Sequence, residues 1–281
     1  MGGGRKKKGT ANSEKERRVL IQEFTLGGDR VRKKQPDWKF ILPFFAALAI
    51  FIFAAAKLGM IYWEYSKGTQ EYQALKKAAL STELESSGQT KKLADGESGV
   101  DFDKLRSINR DTAGWIRFEN LGISYPIVQG KDNDYYLCHT FYRKENKCGS
   151  IFIETQNQKD FSDQNTFVYG HNMKDKSMFA KLNELKQEEV FRENAEFYID
   201  TPKGVNCYQI FSCHVAPLES DSFRYRFQGK EDYAEWQKNV KECSLYETGV
   251  EPKKEQKTVT LMTCTPEGYD YRFLVHGVLK E

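Results

Sequence analysis

The sequence predicts a mainly β fold, a closed or nearly closed β-barrel of about eight strands with inserted helices, preceded by an N-terminal transmembrane helix and a helical stalk. Three observations lead there. Beyond residue 100 the chain carries many short β-prone runs with turn residues between them. Only a few stretches in that region have helical spacing of apolar residues. Ahead of it lies one long apolar run, residues 40–56, without a single charge.

A chain of 281 residues with 39% hydrophobic content can hold one sizeable domain plus appendages. The net charge is only +3, but residues 1–39 carry twelve Lys and Arg against five Asp and Glu. A basic tail can bind nucleic acid. This one abuts the apolar run, so the positive-inside rule explains it more simply, and no nucleic-acid partner is expected. The apolar character resumes after Lys57 and continues to Trp63. Lysine near the end of a span snorkels to the headgroups, so residues 40–63 are long enough to cross a bilayer, with Trp38, Tyr62 and Trp63 as interfacial anchors. The competing arrangement is a signal peptide cleaved after Ala54-Ala55-Ala56. The basic region is too long for an ordinary n-region, and apolar residues continue past the alanines, so an uncleaved anchor is preferred. The expected order is a cytoplasmic tail (1–39), a membrane anchor (40–63), a stalk and linker (64–99), and an extracytoplasmic catalytic domain (100–281).

Residues 64–84 have helix-forming composition, with Tyr72, Leu75, Ala79 and Leu80 near helical spacing. Ser86-Ser87-Gly88 through Gly96-Glu97-Ser98-Gly99 is a polar break of linker composition. Helix and linker together read as a stalk; the alternative is a helix that caps the domain. The domain opens with a short helix marked by Phe102, Leu105 and Ile108. Strands follow at 114–118, 123–129, 150–154, 166–169, 196–201, 204–215, 258–264 and 271–279, with helices at 177–185, 188–194 and 230–244. In the last helix Tyr233, Trp236, Val240 and Cys243 form one stripe, as expected of a helix docked on the barrel.

The chemistry-bearing stretch is Thr260-Leu261-Met262-Thr263-Cys264, followed by Arg272 and Phe273-Leu274-Val275-His276-Gly277. Alternation sets Val259 and Leu261 on one strand face and Thr260, Met262 and Cys264 on the other. Pro266, Gly268 and Asp270 supply the turn before the arginine strand. A thiol nucleophile needs a positive neighbour to favour the thiolate and a donor aimed at the oxyanion, and an arginine one short turn away can supply either. The competing reading is a small buried core residue.

These residues resemble the signature of sortases, cysteine transpeptidases of Gram-positive cell surfaces: Thr-Leu-x-Thr-Cys on one strand, an arginine on the next, and a histidine far upstream. That histidine corresponds to His171, in Tyr169-Gly170-His171-Asn172-Met173-Lys174-Asp175. Class B sortases in particular are resembled by Ile108-Asn109-Arg110-Asp111-Thr112-Ala113-Gly114-Trp115-Ile116, by Tyr125-Pro126-Ile127-Val128-Gln129, and by Asp132-Asn133-Asp134-Tyr135-Tyr136-Leu137 leading to Gly149-Ser150-Ile151-Phe152. The resemblance runs from about residue 102 to 279. One departure is Met262, where class B enzymes often carry serine.

The resemblance implies a thiol-protease-type transpeptidase needing neither metal nor organic cofactor. Cys264 would attack a threonine carbonyl in an Asn-Pro-x-Thr-type motif near the C-terminus of a secreted protein. His171 would act as acid and base, and Arg272 would bind the carbonyl oxygens. The product would be joined to a peptidoglycan amine or, in pilin-polymerising relatives, to another protein. Of the four histidines, His276 is the rival to His171, because it shares a strand face with Arg272. Four residues of strand carry it about 13 Å from the cysteine end, however. His139 and His214 read as surface or satisfied side chains. Two other classes fit the residues less well. Peptidoglycan-cleaving cysteine peptidases usually start a helix with the nucleophile, and a non-catalytic tethered binding protein leaves the Cys264, His171 and Arg272 set unexplained.

The remaining cysteines, Cys138, Cys148, Cys207, Cys213 and Cys243, have no CxxC spacing for zinc. Cys207 and Cys213 would lie on one strand face too far apart to bridge. The five are expected to be mostly buried thiols, with a Cys138–Cys148 bridge left open.

Overall fold

A computed structural model of the chain describes residues 38–80 and 98–280. The basic tail and most of the polar linker lie outside the described residues. The chain divides into two units after Ala56.

Helix α1, Trp38–Ala79, is 42 residues long and includes Pro43. Its apolar portion is long and hydrophobic enough to cross a membrane, and none of that portion is buried. Leu42, Phe44, Phe45, Ile50, Phe51 and Phe53 are all well exposed, the arrangement expected when lipid rather than protein covers them.

In the second unit the end of α1 does not stand free. Tyr72, Leu75 and Ala79 are buried in the main core, so the docked cap is the arrangement found for this helix. Leu80 pairs with Val100, and Asp101 N–H bonds to Ala79 O at 2.9 Å. Helix α2, Phe102–Ile108, follows at once. Its N-cap Asp101 accepts from Lys104 N–H, and its Phe102 and Leu105 are buried.

Eight strands then close a barrel: β1 (Thr112–Arg117), β2 (Ser124–Val128), β3 (Ile151–Ile153), β4 (Asn165–Tyr169), β5 (Glu196–Thr201), β6 (Gly204–Pro217), β7 (Thr258–Cys264) and β8 (Tyr271–Leu279). Their order around the barrel is β1-β2-β3-β4-β7-β8-β6-β5. The β2–β3 and β4–β7 pairs are parallel and the rest antiparallel. Closure leaves no free edge. Pro126 is tolerated within β2 because the β2–β3 ladder begins only at Ile127. Both parallel pairs need crossover connections, and these carry the loops that matter for chemistry.

Between β4 and β5 lie a 3-10 helix, Ala180–Lys186, and helix α3, Glu188–Glu193. The first was expected as a longer helix over 177–185; it forms in 3-10 geometry and starts later. Helix α4, Lys230–Glu242, lies between β6 and β7. The barrel interior is filled from inward-facing positions such as Ile116, Ile127, Val259, Leu261, Phe273 and Val275. Outside, Tyr233, Trp236 and Val240 of α4 pack on Phe211 and Val278, and the Tyr233 hydroxyl contacts Gln164 O, Gln256 O and Thr258 Oγ1, each at 2.7 Å. The α4 stripe differs from expectation at its end. Gln237 is buried, whereas Cys243 caps the helix and is exposed.

The cysteines also depart from expectation. All six are free; Cys148 and Cys213 are buried, Cys207 is half-buried, and Cys138 and Cys243 are exposed. Cys138 and Cys148 are not bonded to each other. The Cys148 sulfur lies against Gly149 O and that of Cys138 against its neighbour His139.

Candidate active site

Strand register brings the three expected residues together. In the antiparallel β7–β8 pair, Cys264 is directly opposite Arg272. Such partners hold their Cβ atoms about 4.5–5.5 Å apart on the same face. In the parallel β4–β7 pair the last register partners are Tyr169 and Met262, and Gly170 N–H then bonds to Met262 O at 3.1 Å. Beyond that pair β4 ends, and Asn172 Nδ2 donates to Cys264 O at 3.0 Å, which brings its chain neighbour His171 to the end of β7. The row across the barrel mouth is therefore His171, Cys264, Arg272, on the adjacent ends of β4, β7 and β8.

Local sequence explains this row. Val259 and Leu261 point into the barrel and are buried, which leaves Thr260, Met262 and Cys264 on the outer face. Cys264 ends its strand exposed to solvent. Gly170 lets β4 exit close to its neighbours, since a Cβ there would fall 2.5 Å from Ile151 Cδ1 and 2.6 Å from the Phe179 ring. Met262 packs beside Phe167, Ala216 and Leu274, so the position where class B enzymes often carry serine is apolar packing here.

His171 is half-buried. Its Nε2 lies 2.7 Å from the Leu137 carbonyl. A carbonyl only accepts, so Nε2 carries a proton, and the neutral ring holds its lone pair on Nδ1. The Arg272 guanidinium donates through Nη1 to its own turn, to Tyr269 O at 2.6 Å and Tyr271 O at 2.8 Å. These bonds leave the Nε–H and Nη2–H groups of the fork for a ligand.

Sequence reasoning missed the supports of Cys264. Asn172 and Asn183 both donate to the Cys264 carbonyl, at 3.0 and 3.2 Å. Just beyond, Lys186 Nζ reaches Thr265 Oγ1 at 2.6 Å and Glu267 Oε1 at 2.7 Å, and Thr265 also bonds Glu267. The Lys186 bond first, and the Thr265 bond second, hold the Glu267 carboxyl down at about 2. Asn172 had a signal, being adjacent to His171. Asn183, Lys186 and the Leu137 carbonyl had none, because they sit on short 3-10 turns within long connections whose paths no short-range pattern reveals.

The other histidines are placed otherwise. His276 is fully buried beneath α4, with Nδ1 2.9 Å from Thr260 Oγ1 and its ring stacked on His214 at 5.1 Å. His214 is also buried, between Ser212 and Ser222. His139 stacks on Tyr135, with ring centroids 4.0 Å apart.

Comparison with known proteins agrees with this architecture. A sortase-domain family profile matches residues 116–280. The chain is 31% identical to sortase B of Listeria monocytogenes over 237 residues, spanning 83% of this chain and 93% of that protein. Among solved structures it resembles sortase B of Bacillus anthracis, with TM-score 0.66 and 29% identity over 78% of this chain and 99% of that one. It also resembles sortase B of Clostridium perfringens, with TM-score 0.61 and 32% identity over 64% of this chain and 100% of that one. With a cysteine ending the seventh strand of the same closed barrel, the chain belongs to the sortase family of cysteine transpeptidases, in its class B.

Proposed function

We propose that this sortase cleaves an Asn-Pro-x-Thr-type motif near the C-terminus of a secreted protein and joins the threonine carboxyl to a peptidoglycan amine, using Cys264, His171 and Arg272. One observation carries the reading: the exposed Cys264 is the direct register partner of Arg272, and the segment carrying His171 is bonded to the Cys264 carbonyl through Asn172.

The Cys264 thiol gives its proton to His171 Nδ1 as the sulfur adds to the threonine carbonyl, and the C=O electron pair moves onto oxygen. The Nε–H and Nη2–H groups of Arg272 donate to that oxyanion and to neighbouring substrate carbonyls, a task suited to a fixed, permanently charged fork. As the C–N bond breaks, the leaving amine takes a proton from His171 and a thioester remains on Cys264. The incoming amine gives a proton back to His171 as it attacks the thioester, and the thiolate departs. With Nε2 held by the Leu137 carbonyl, the proton exchanged is the one on Nδ1. The Asn172 and Asn183 amides keep the nucleophile's backbone fixed while its side chain changes partners.

The long apolar helix is the membrane anchor, and the basic excess of residues 1–39 favours a cytoplasmic N-terminus with the barrel outside. Substrate and lipid-linked acceptor would then meet at the outer membrane face. The test is to incubate the full chain in detergent with quenched Asn-Pro-x-Thr peptides, with and without an added amine. Expected are cleavage in both cases and an amine-linked product in the second. Failure to cut any such peptide while cutting a different sorting motif would overturn the substrate assignment.

A further inference from the structure

We propose that the domain-docked part of α1 is a positioning element of the active site, acting through Thr69 and Tyr72 on the two loops that hold His171. The inference rests on the assignment of His171 above. It starts from a stripe of α1 residues at helical spacing, Tyr65, Gly68, Thr69, Tyr72, Leu75 and Ala79. Leu75 and Ala79 are core packing, but the middle of the stripe makes polar contacts that packing alone does not need.

Tyr72 is buried, and its hydroxyl sits at a junction. It accepts from Phe141 N–H at 3.1 Å, donates to Gly149 O at 2.7 Å and lies 3.0 Å from Ser150 Oγ. Ser150 in turn donates through Oγ to His139 O at 2.8 Å and through its N–H to Tyr136 O at 2.9 Å. The hydroxyl therefore ties the middle and the far end of the 136–150 loop to the helix, and Ser150 extends the hold to Tyr136 and His139 on either side of Leu137, whose carbonyl accepts from His171 Nε2. Gly68 permits the close approach, because a Cβ there would stand 2.7 Å from Cys148 Sγ and 3.2 Å from Asn146 Oδ1. Glycine inside a helix is costly relative to alanine, so its presence here is accounted for by this contact.

Thr69 holds the second loop. Its Oγ1 donates to Asp175 Oδ2 at 2.9 Å. The other oxygen of Asp175 accepts from Ser177 N–H and Oγ–H, closing the turn after which Phe179 N–H returns to His171 O at 3.0 Å. Tyr125 links the two grips, standing edge-on to Tyr72 at 5.5 Å and accepting from Met178 N–H at 3.1 Å. The ring acceptor of His171 and its backbone are thus each a few bonds from one helix face. Cys264 and Arg272, by contrast, are set by β7, β8 and Asn183, with Asn172 the one support that lies on the histidine segment. Loosening the helix should misplace the histidine and spare the nucleophile.

The test uses the full chain carrying Tyr72→Phe, Thr69→Val or Thr69→Ser, with His171→Ala alongside. The readouts are kcat and KM for a quenched Asn-Pro-x-Thr peptide, the pH profile of kcat/KM, and alkylation of Cys264. Tyr72→Phe strands the buried Phe141 N–H and should lower kcat roughly tenfold, and Thr69→Val about threefold, with KM within about twofold. The histidine-dependent limb of the pH profile should move, Cys264 alkylation should hold, and Thr69→Ser should restore the parent kcat. Variants that lower only the melting temperature, leaving kcat and the pH profile unchanged well below it, would overturn the proposal while an inactive His171→Ala upheld the assignment. An active His171→Ala would overturn the assignment and this inference with it.

Discussion

Cys264 and Arg272 face each other across a single antiparallel register pair, at the last residue of β7 and the second of β8. The pairing ties the nucleophile and the guanidinium to one hairpin, so neither depends on a mobile loop for its position. Cys264→Ala should abolish cleavage and the thioacyl intermediate, because no other group in the row can form that bond. Arg272→Lys keeps the charge and loses the planar fork. It should lower kcat/KM on the order of 10²-fold, the size of effect seen when an oxyanion donor is removed. Full activity in Arg272→Lys would reduce the guanidinium to a simple charge.

His171→Ala should nearly abolish turnover while Cys264 remains open to strong alkylating agents. His276→Ala is the contrasting variant. His276 lies under α4, so its loss should leave most of the activity per folded molecule and cost stability through the cavity and the lost bond to Thr260 Oγ1. Steady-state kinetics at a temperature well below both melting points separates the two. An inactive His276→Ala with an active His171→Ala would reverse the assignment.

Gly170→Ala probes how tightly β4 leaves the barrel. The added methyl would meet Ile151 Cδ1 and Phe179, both deep in the core, and neither can withdraw without moving a packed neighbour. Overpacking of this kind costs about 1–3 kcal/mol. The shift falls one residue before His171, so kcat should drop more than the stability loss explains. A variant with parent activity and parent melting temperature would show that the exit has slack.

Much of this arrangement was legible in the residues. The β7 and β8 bounds are those that the β-prone runs 258–264 and 271–279 predict, and the two-residue period of a strand sets Cys264 on the face of Thr260 and Met262. The nearness of His171 to Cys264 could not be read that way. It depends on β4 and β7 being parallel neighbours although 92 residues separate Asn172 from Cys264, a pairing that no local pattern encodes. The resemblance to sortases supplied it instead. The cap formed by Tyr72, Leu75 and Ala79 was visible as a helix but not as a docked one, since an amphipathic stripe does not name its partner. Cys243 was misjudged for a related reason. It continues the α4 stripe by spacing, but the helix ends at Glu242 and the stripe ends with it.

The thiols should divide by exposure. Cys264, Cys138 and Cys243 are exposed, whereas burial pushes the Cys213 and Cys148 thiols up to about 12. Brief alkylation of the native protein followed by peptide mapping should label the first three and spare the last two until denaturant is added. Because all six are free, reducing agent should leave the melting temperature unchanged, whereas loss of a native disulfide would cost about 2–4 kcal/mol. A drop of several degrees on reduction would show a bridge that the fold does not contain.

The stacked pair His214 and His276 makes stability depend on pH. Ser212 Oγ donates to the Val240 carbonyl of α4 and therefore accepts from His214 Nδ1–H. Thr260 Oγ1 donates to Asn165 Oδ1 and therefore accepts from His276 Nδ1–H. Both rings are neutral as packed. Burial lowers His214 to about 4, and burial followed by the neighbouring His214 lowers His276 well below the usual histidine range. Folded values lie below unfolded ones, so the unfolded chain takes up protons first as pH falls. The full contribution is present above the unfolded pKa of about 6.5 and is lost as pH falls toward the folded values, roughly 3 kcal/mol from His214 alone. Carboxylates held low, such as Glu267, add their loss only below their own unfolded range, near pH 4.5. Between pH 6.5 and 4.5 the loss therefore comes from the histidines, opposed by Asp200, whose carboxyl is held above its usual range by burial, so that it favours the folded state as it takes up a proton. Melting temperature should fall steeply across this interval in the parent chain and less steeply in His214→Gln, where one of the two titrating rings is gone. A parent melting temperature that stayed flat from pH 7 to pH 5 would mean that the rings are charged, or accessible to protons, in the folded protein.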